Sequence, residues 1–324
     1  MELRGINYDT GFGGAVGDRS RIAFEPEVVR RELAVIADEL HCDTVRISGD
    51  DPERIVLAAN AAVDVGLQVW FAPFPIDLTP AQLLPYFERC AASAEEIRAR
   101  DPRTVLVLGC EMSLFSAGFV PGQFLLQRLR NAADPRSWAG FTPAADFTET
   151  LNGIVAVARE QFGGAVSYAS GEWEDIDWAP FDFAAVDLYR AAGNAADFPA
   201  VVRKHAAHGK PLVVTEFGCC TYRGAAEAGG MGWAIVDYTT TPRTLNNDYV
   251  RDESVQVAYF HELMDVFEAE NVHGAFWFTF AGYELPHNTD PRRDLDMASY
   301  GVVKMVDGVP QRKAVFEAIA TRFA

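Results

Sequence analysis

Eight short apolar segments, rich in β-branched and aromatic residues, recur along this chain and are separated by patterns typical of helices. The segments are Leu3–Tyr8, Thr44–Ser48, Gln68–Pro73, Thr104–Gly109, Ala165–Ala169, Phe183–Tyr189, Pro211–Glu216 and Gly274–Phe280. Near-continuous apolar runs of this kind are typical of parallel strands that are covered on both faces. Because the alternation shows no break in composition, the sequence predicts one α/β domain over residues 1–324, a closed (β/α)8 TIM barrel.

The segments between the strands carry helix signals. Pro52 suits the first turn of a helix, and Thr79 with Gln82 forms the pattern of a capping box. The predicted helices are Glu27–Leu40, Pro52 to Gly66, Thr79 to Arg100, Ala144–Gln161, Asp197–His208, Glu253–Glu270 and Gln311–Phe323. Longer inserts follow strands four, seven and eight, at about Met112–Pro143, Phe217–Asp252 and Ala281–Pro310. We expect these inserts on the face of the barrel that carries the chemistry.

A doubly wound nucleotide-binding sheet is the alternative fold for a chain of alternating strands and helices. That fold needs a glycine-rich phosphate turn between its first strand and the helix that follows. Here the stretch Gly11-Phe12-Gly13-Gly14 does not open a helix, so the sequence favours the barrel.

The charge and the cysteines limit the classes of partner and the compartment. A net charge of −18 over 324 residues repels phosphate backbones and anionic lipid, which argues against nucleic acid and membrane surfaces. The first residues lack a signal-peptide pattern, and no apolar run approaches the roughly 18 residues of a spanning helix. The five cysteines are odd in number and show no CxxC spacing, which predicts reduced thiols in the cytoplasm.

Two glutamates end predicted strands. Glu111 follows the fourth strand directly, and Glu216 ends the seventh. A charged side chain that comes directly after an apolar run is expensive to bury without a partner or a role. Because the carboxyl ends of the strands of a barrel open into the active-site mouth, two such residues predict a functional pair.

At these residues the chain resembles the clan of retaining glycoside hydrolases that are built on (β/α)8 barrels, over nearly its whole length. The resemblance implies that Glu111 is the acid/base and Glu216 the nucleophile. It also implies that Arg46, in His41-Cys42-Asp43-Thr44-Val45-Arg46-Ile47, supports the nucleophile, and that Tyr189 places a hydroxyl beside it. Trp277, in Ala275-Phe276-Trp277-Phe278, matches the aromatic residue that floors the sugar site.

The chemistry explains why such enzymes need two carboxyl groups. One must stay protonated near neutral pH to protonate the leaving oxygen, and the other must be ionised to attack the anomeric carbon. The retaining geometry holds the two groups about 5–5.5 Å apart. Such a reaction needs neither a cofactor nor a metal, and the six histidines fall on predicted helices and loops rather than strand ends.

Cys110 departs from the pattern of the clan, which usually has an asparagine before the acid/base glutamate. A thiol is a weak hydrogen-bonding group, so it cannot replace the amide contact to the 2-hydroxyl of the sugar. Cys110 as a nucleophile is an alternative, although no histidine ends a strand to activate it. Trp173, after the fifth strand, is expected to line an outer subsite or to pack at the rim.

Other interpretations of the same residues stay open at the sequence level. Arg46 could pair with any buried acid, and Tyr189 and Trp277 could be core aromatics. The chain is also similar to bacterial barrel proteins labelled abortive-infection proteins, which implies a phage-defence role.

From the two glutamates and the clan resemblance, the sequence predicts a retaining glycosidase for a small carbohydrate. The alternatives are a catalytically silent barrel that binds a sugar or a protein, and a barrel lyase that uses the same carboxylates. The oligomeric state is not predicted.

Overall fold

The computed structural model describes residues 1–13, 19–132 and 134–324, and a closed barrel of eight parallel strands lies at its centre. The strands are β1 (Leu3–Asp9), β2 (Thr44–Gly49), β3 (Gln68–Pro73), β4 (Val105–Cys110), β5 (Ala165–Gly171), β6 (Ala184–Asp187), β7 (Leu212–Phe217) and β8 (Gly274–Trp277). Each strand pairs with its neighbours in the sequence, and β1 closes the barrel against β8. The predicted (β/α)8 barrel and all eight predicted strands are confirmed.

Helices surround the barrel in the order that the sequence predicts. They are α1 (Pro26–Asp38), α2 (Pro52–Asp64), α3 (Pro80–Arg100), α4 (Met112–Phe115), α5 (Leu125–Ala132), α6 (Phe147–Gln161), α7 (Phe198–Ala206), α8 (Ala225–Ala228), α9 (Ser254–Ala269) and α10 (Ala314–Phe323). The capping box of Thr79 and Gln82 is present at the start of α3. The sequence did not predict α4, α5 and α8, which are short helices inside the long inserts. Gln311 lies in a hairpin of Val303–Val306 with Val309–Arg312 rather than in α10.

Alternation along the strands separates two apolar layers. Side chains that point inward, among them Trp70, Val107, Cys110 and Phe276, form the filling of the barrel. The side chains of the other parity, such as Trp277, pack against the surrounding helices. Both layers are buried, as expected for a barrel whose interior is filled by side chains.

The strand register shifts near the carboxyl ends of several strands. The shifts lie between Val107 and Cys110 in β4, at Val186 and Asp187 in β6, and between Ala275 and Trp277 in β8. An irregularity of this kind redirects the side chains that follow it. These shifts therefore affect the direction in which the last side chains of these strands point.

Two stretches that the sequence analysis names extend beyond the described residues. Gly14 of the glycine-rich stretch, and residue 133 within the insert after β4, lie outside the described residues. In the part of the chain that the structure describes, no helix combines the length and apolarity needed to span a membrane. The five cysteines are buried and unbridged.

Candidate active site

The end of β4 holds Glu111 in a backbone conformation that few residues adopt. Glu111 has φ +43° and ψ 39°, the left-handed region, and Gly109 two residues earlier has φ +96°. A Cβ at position 109 would lie 2.5 Å from Sδ of Met112, so this position also needs glycine. A non-glycine residue at positive φ persists only where its surroundings fix it, and such residues cluster at functional sites.

Hydrogen bonds to β5 and to the loop after it fix the backbone around Glu111. The Glu111 amide donates to the carbonyl of Ala169 (2.9 Å), and the Met112 amide donates to the hydroxyl of Tyr168 (2.7 Å). That hydroxyl lies 2.9 Å from each carboxylate oxygen of Glu174, which also accepts from the Ser113 amide (3.0 Å). Glu174 is thus a half-buried positioning residue that the sequence analysis did not identify.

Glu216, at the end of β7, accepts hydrogen bonds from two of the predicted residues. Nη1 of Arg46 lies 2.6 Å from Oε1, and the Tyr189 hydroxyl lies 3.0 Å from Oε2. Arg46 is only 1% exposed, and its Nη1 also donates to Oδ1 of Asn7 (2.8 Å). Asn7 in turn donates to the Thr215 carbonyl (2.9 Å), so β1, β2 and β7 together orient the guanidinium. Each oxygen of the Glu216 carboxylate therefore has its own hydrogen-bond donor.

Cys110 and Asp187 lie beside Glu216 in the barrel interior. The Cys110 thiol is 3.3 Å from Oδ2 of Asp187 and 3.8 Å from Oε1 of Glu216. Asp187, at the end of β6, is 3% exposed, and its other oxygen is buried without a hydrogen-bond partner in the described residues. The sequence analysis missed Asp187, although it is an acid at the end of an apolar strand, the same signal that marked Glu111 and Glu216.

Burial and mutual repulsion set the protonation of this cluster. Burial raises the pKa of Glu111 well above its ordinary value, and the charges of Asp187, Glu216 and Glu174 raise it further. Among the described residues, none donates a hydrogen bond to the Glu111 carboxyl group. Burial and the charge of Glu216 also raise the pKa of Asp187, against the opposing effect of Arg46. The pair Glu111 and Glu216 thus has opposite environments, one without donors and one with a donor on each oxygen.

The same environment makes Cys110 a neutral thiol. Its burial, followed by the charges of Asp187 and Glu216, raises the pKa of the thiol well above its ordinary value. A nucleophilic cysteine needs the opposite, a lowered pKa in a positively charged surrounding. The contacts of Cys110 are those of a weak donor to Asp187.

Three ligand atoms in this cluster are close enough to share a cation. The thiol of Cys110 and the carboxylates of Asp187 and Glu216 offer atoms within 4.8 Å of one another. The guanidinium of Arg46 already contacts Glu216 and neutralises part of this charge. A divalent ion would have to displace the Cys110 proton and tolerate the adjacent guanidinium, which makes this a poor fit for a resident metal.

Trp277 lies outside the pocket, contrary to the expectation that it floors a sugar site. Its indole packs edge-on against Phe217 and Phe260 in the helix layer, and Nε1 donates to the Tyr300 carbonyl (3.0 Å). Strand parity explains this result, because Phe276 points into the barrel and Trp277 therefore points out. Phe278 is half-buried and packs against Tyr300, which packs against Tyr189. Phe278, the residue directly after β8, is thus linked to Tyr189 through Tyr300.

Trp173, after β5, contacts the turn that follows Glu111. Its indole is 58% exposed, and Nε1 donates to Oγ of Ser113 (3.2 Å). It lines a groove of about 880 Å3 that is formed with the insert after β4. Of the predicted site residues, the structure brings together Arg46, Cys110, Tyr189 and Glu216. Glu111 is close enough to this group for the charges of Asp187 and Glu216 to raise its pKa. Trp173 lines the groove, and Trp277 lies outside the site.

Several solved structures share this fold. The chain is similar to a GH113 β-1,4-mannanase (14% identity, TM-score 0.63, 100% of this chain and 99% of that one). It is also similar to the GH113 β-mannanase AaManA from Alicyclobacillus acidocaldarius in complex with ManMIm (16% identity, TM-score 0.60, 99% and 97%). A third similar structure is Bacteroides uniformis β-glucuronidase 2, covalently bound to cyclophellitol-6-carboxylate aziridine (16% identity, TM-score 0.61, 100% and 35%). No family model and no curated protein matches the sequence. At these identities the similarity shows a shared barrel fold.

Proposed function

We propose that this protein is a retaining glycoside hydrolase, with Glu111 as the acid/base and Glu216 as the nucleophile. The observation that carries the proposal is the contrast between the two carboxyl groups. Glu216 accepts from Arg46 and Tyr189, whereas Glu111 is half-buried, has a raised pKa and accepts from no described residue. Glycoside cleavage with retention requires one carboxyl group as acid and one as nucleophile, and the two environments support that division of roles. The barrel shared with the two mannanases and the glucuronidase supports the proposal at the level of the fold.

The proposed reaction proceeds in two displacements. Glu111 donates its proton to the glycosidic oxygen while a Glu216 oxygen attacks the anomeric carbon, so the bond to the leaving group breaks as the bond to Glu216 forms. Glu111, now ionised, then takes a proton from water, which attacks the same carbon and releases Glu216. Arg46 and Tyr189 hold the Glu216 carboxylate in position through both steps. The mechanism requires carboxyl groups about 5–5.5 Å apart.

The charges of the site favour an uncharged sugar. Three carboxyl groups, those of Glu111, Asp187 and Glu216, share the single guanidinium of Arg46, and Glu174 adds a fourth carboxyl group near Glu111. A uronic acid in the same pocket would add a further negative charge next to Asp187 and Glu216. We therefore propose a neutral glycoside or short oligosaccharide as the substrate class.

Two variants separate the proposed roles. Glu216→Ala should abolish turnover of a panel of aryl glycosides, and azide should restore it with inversion at the anomeric centre, because the anion enters the vacated face. Glu111→Ala should keep activity toward activated leaving groups, which need little protonation, and lose it toward poor ones. Equal losses that do not depend on the leaving group would contradict both assignments.

A sugar-binding barrel without turnover is the second candidate, and Cys110 is the observation that favours it. A thiol in place of the usual amide removes a contact that strengthens in the transition state of this reaction class. In that case no glycoside of the panel is cleaved, while a pulldown on immobilised sugars retains the protein. A lyase would cleave without incorporating solvent oxygen into the released sugar.

A further inference from the structure

A mostly apolar groove lies beside the turn that follows Glu111. We call it the aromatic groove. It is formed by Ser113 and Leu114 of α4, by Trp173 to Asp175 after β5, by Trp138 of the insert after β4, and by Phe147 at the start of α6. Its volume of about 880 Å3 lies within the range of sites for small ligands. Neither Arg46 nor Tyr189 nor Glu216 lines it.

The position of the groove places it near the leaving group of the proposed substrate, on the Glu111 side. Ser113 follows Glu111 by two residues, and Glu174 both lines the groove and raises the pKa of Glu111 through its charge. In the proposed reaction, the group on the Glu111 side is the one that leaves, because Glu111 protonates its oxygen. The sugar ring that becomes bonded to Glu216 lies on the other side.

The lining of the groove defines the chemistry of its ligand. Trp173 and Trp138 are 58% and 40% exposed, so two indoles offer flat apolar faces to solvent. Phe119 and Phe147, which also line the groove, pack edge-on against each other with ring centroids 5.2 Å apart. Flat aromatic faces bind other flat apolar groups, whereas a ligand rich in hydroxyl groups also needs several free polar partners.

The polar groups of the groove are largely occupied by the protein itself. Glu174 accepts from Tyr168 and from the amides of Ser113 and Gly171, Asp146 accepts from the Glu149 amide, and the Ser113 hydroxyl accepts from Trp173. The charged side chains among the described lining residues are carboxylates, Asp146, Glu174 and Asp175. An anionic ligand would therefore meet repulsion in this groove.

From these observations we propose that the aromatic groove binds the leaving group of the substrate and selects a flat, apolar and uncharged one, such as an aryl aglycone. The assignment to the leaving group rests on the proposed function. The affinity of the groove for a flat apolar ring does not depend on that function. The two parts can therefore be tested separately.

Binding of 2-naphthol tests the affinity of the groove directly, with calorimetry on the wild-type protein. We expect Trp173→Ala to weaken binding by about tenfold, and Trp138→Ala to weaken it in the same direction. Phe124→Ala is the matched control, since Phe124 is 53% exposed but does not line the groove, and it should bind like the wild type. The sulfonate of the same ring, 2-naphthalenesulfonate, should bind more weakly than 2-naphthol.

No binding of 2-naphthol by the wild type, or equal affinity of the wild type and both tryptophan variants, would overturn the proposal. So would tighter binding of the sulfonate. Kinetics with a 2-naphthyl and a methyl glycoside of one sugar then test the leaving-group assignment. Trp173→Ala should raise KM for the naphthyl glycoside and spare the methyl glycoside, and an equal effect on both would refute the assignment. If 2-naphthol binds as expected but no glycoside is cleaved, the proposed function fails while the groove remains a binding site.

Discussion

Replacement of Arg46 by methionine should destabilise the protein strongly, and the loss should depend on pH. Arg46 is buried among Glu216, Asp187 and Cys110, and it donates to Glu216 at 2.6 Å and to Asn7 at 2.8 Å. Methionine fills much of the same volume without a charge or a donor. Removing one partner of a buried ion pair leaves the other charge uncompensated, which costs about 3–5 kcal/mol. That is a large part of a typical free energy of unfolding of roughly 5–15 kcal/mol.

The sign of the pH dependence follows from the carboxyl groups that Arg46 faces. Burial already raises the pKa of Asp187, and Arg46 opposes that rise. Without the guanidinium, the pKa of Asp187 in the folded protein should rise further above its value in the unfolded chain. Stability lost by Arg46→Met is therefore largest where these groups would be ionised, and it shrinks as falling pH protonates them.

Urea unfolding at about pH 8 and about pH 5 measures this effect for the wild type, Arg46→Met and Arg46→Lys. Arg46→Lys keeps the charge and serves as the control, although it loses part of the hydrogen bonding. A double variant with Asp187→Asn should lose less stability than the sum of the two single variants. A loss below about 1 kcal/mol for Arg46→Met, or an equal loss at both pH values, would show that Arg46 does not neutralise the buried carboxylates.

Three further predictions concern Glu111 and metals. Activity should fall as pH rises through the raised pKa of Glu111, because the acid must be protonated, and Glu111→Gln should remove this alkaline limb for substrates with activated leaving groups. Because a buried carboxyl with a raised pKa favours folding only while it is protonated, Glu111→Gln should also raise Tm at alkaline pH and change it little in acid. Dialysis against a chelator should leave the activity unchanged, since Arg46 compensates the charge at Cys110, Asp187 and Glu216. An activity loss that one divalent ion reverses would contradict this expectation.

The strands and main helices were predictable because their signals are local. An apolar run fixes a buried strand, and its carboxyl end fixes the face on which Glu111 and Glu216 lie. Which way a side chain points depends on parity, and a shift of one residue exchanges the two layers. Trp277 was assigned to the pocket on a resemblance alone. Phe276, one residue earlier, is the inward residue, so Trp277 faces the helices.

The parts of the site that could not be predicted depend on contacts between distant segments. Glu174 acquires its role from Tyr168 and from the amide of Ser113, which lies 61 residues away in the sequence. The aromatic groove is assembled from an insert without periodicity, so no pattern predicts that Trp138 and Trp173 line one cavity. Asp187 did carry a signal, an acid at the end of an apolar strand. The clan resemblance implies a role for Tyr189, two residues later, and none for Asp187.

Cys110 offers the sharpest test of how far this chain follows the reaction it resembles. Its thiol donates to Asp187 at 3.3 Å and lies 3.8 Å from Glu216, and burial keeps it protonated. A neutral thiol contributes little to the transition state, so Cys110→Ser should stay within about tenfold of the wild-type kcat/KM, or 1.4 kcal/mol. Cys110→Asn should shift the preference toward sugars with a free 2-hydroxyl, because an amide can donate to it. If Cys110 were instead the nucleophile, Cys110→Ser would be inactive, and iodoacetamide would inactivate the wild type with the label on Cys110. Glu216, which accepts hydrogen bonds from Arg46 and Tyr189, would then be a supporting charge and not the nucleophile that we propose.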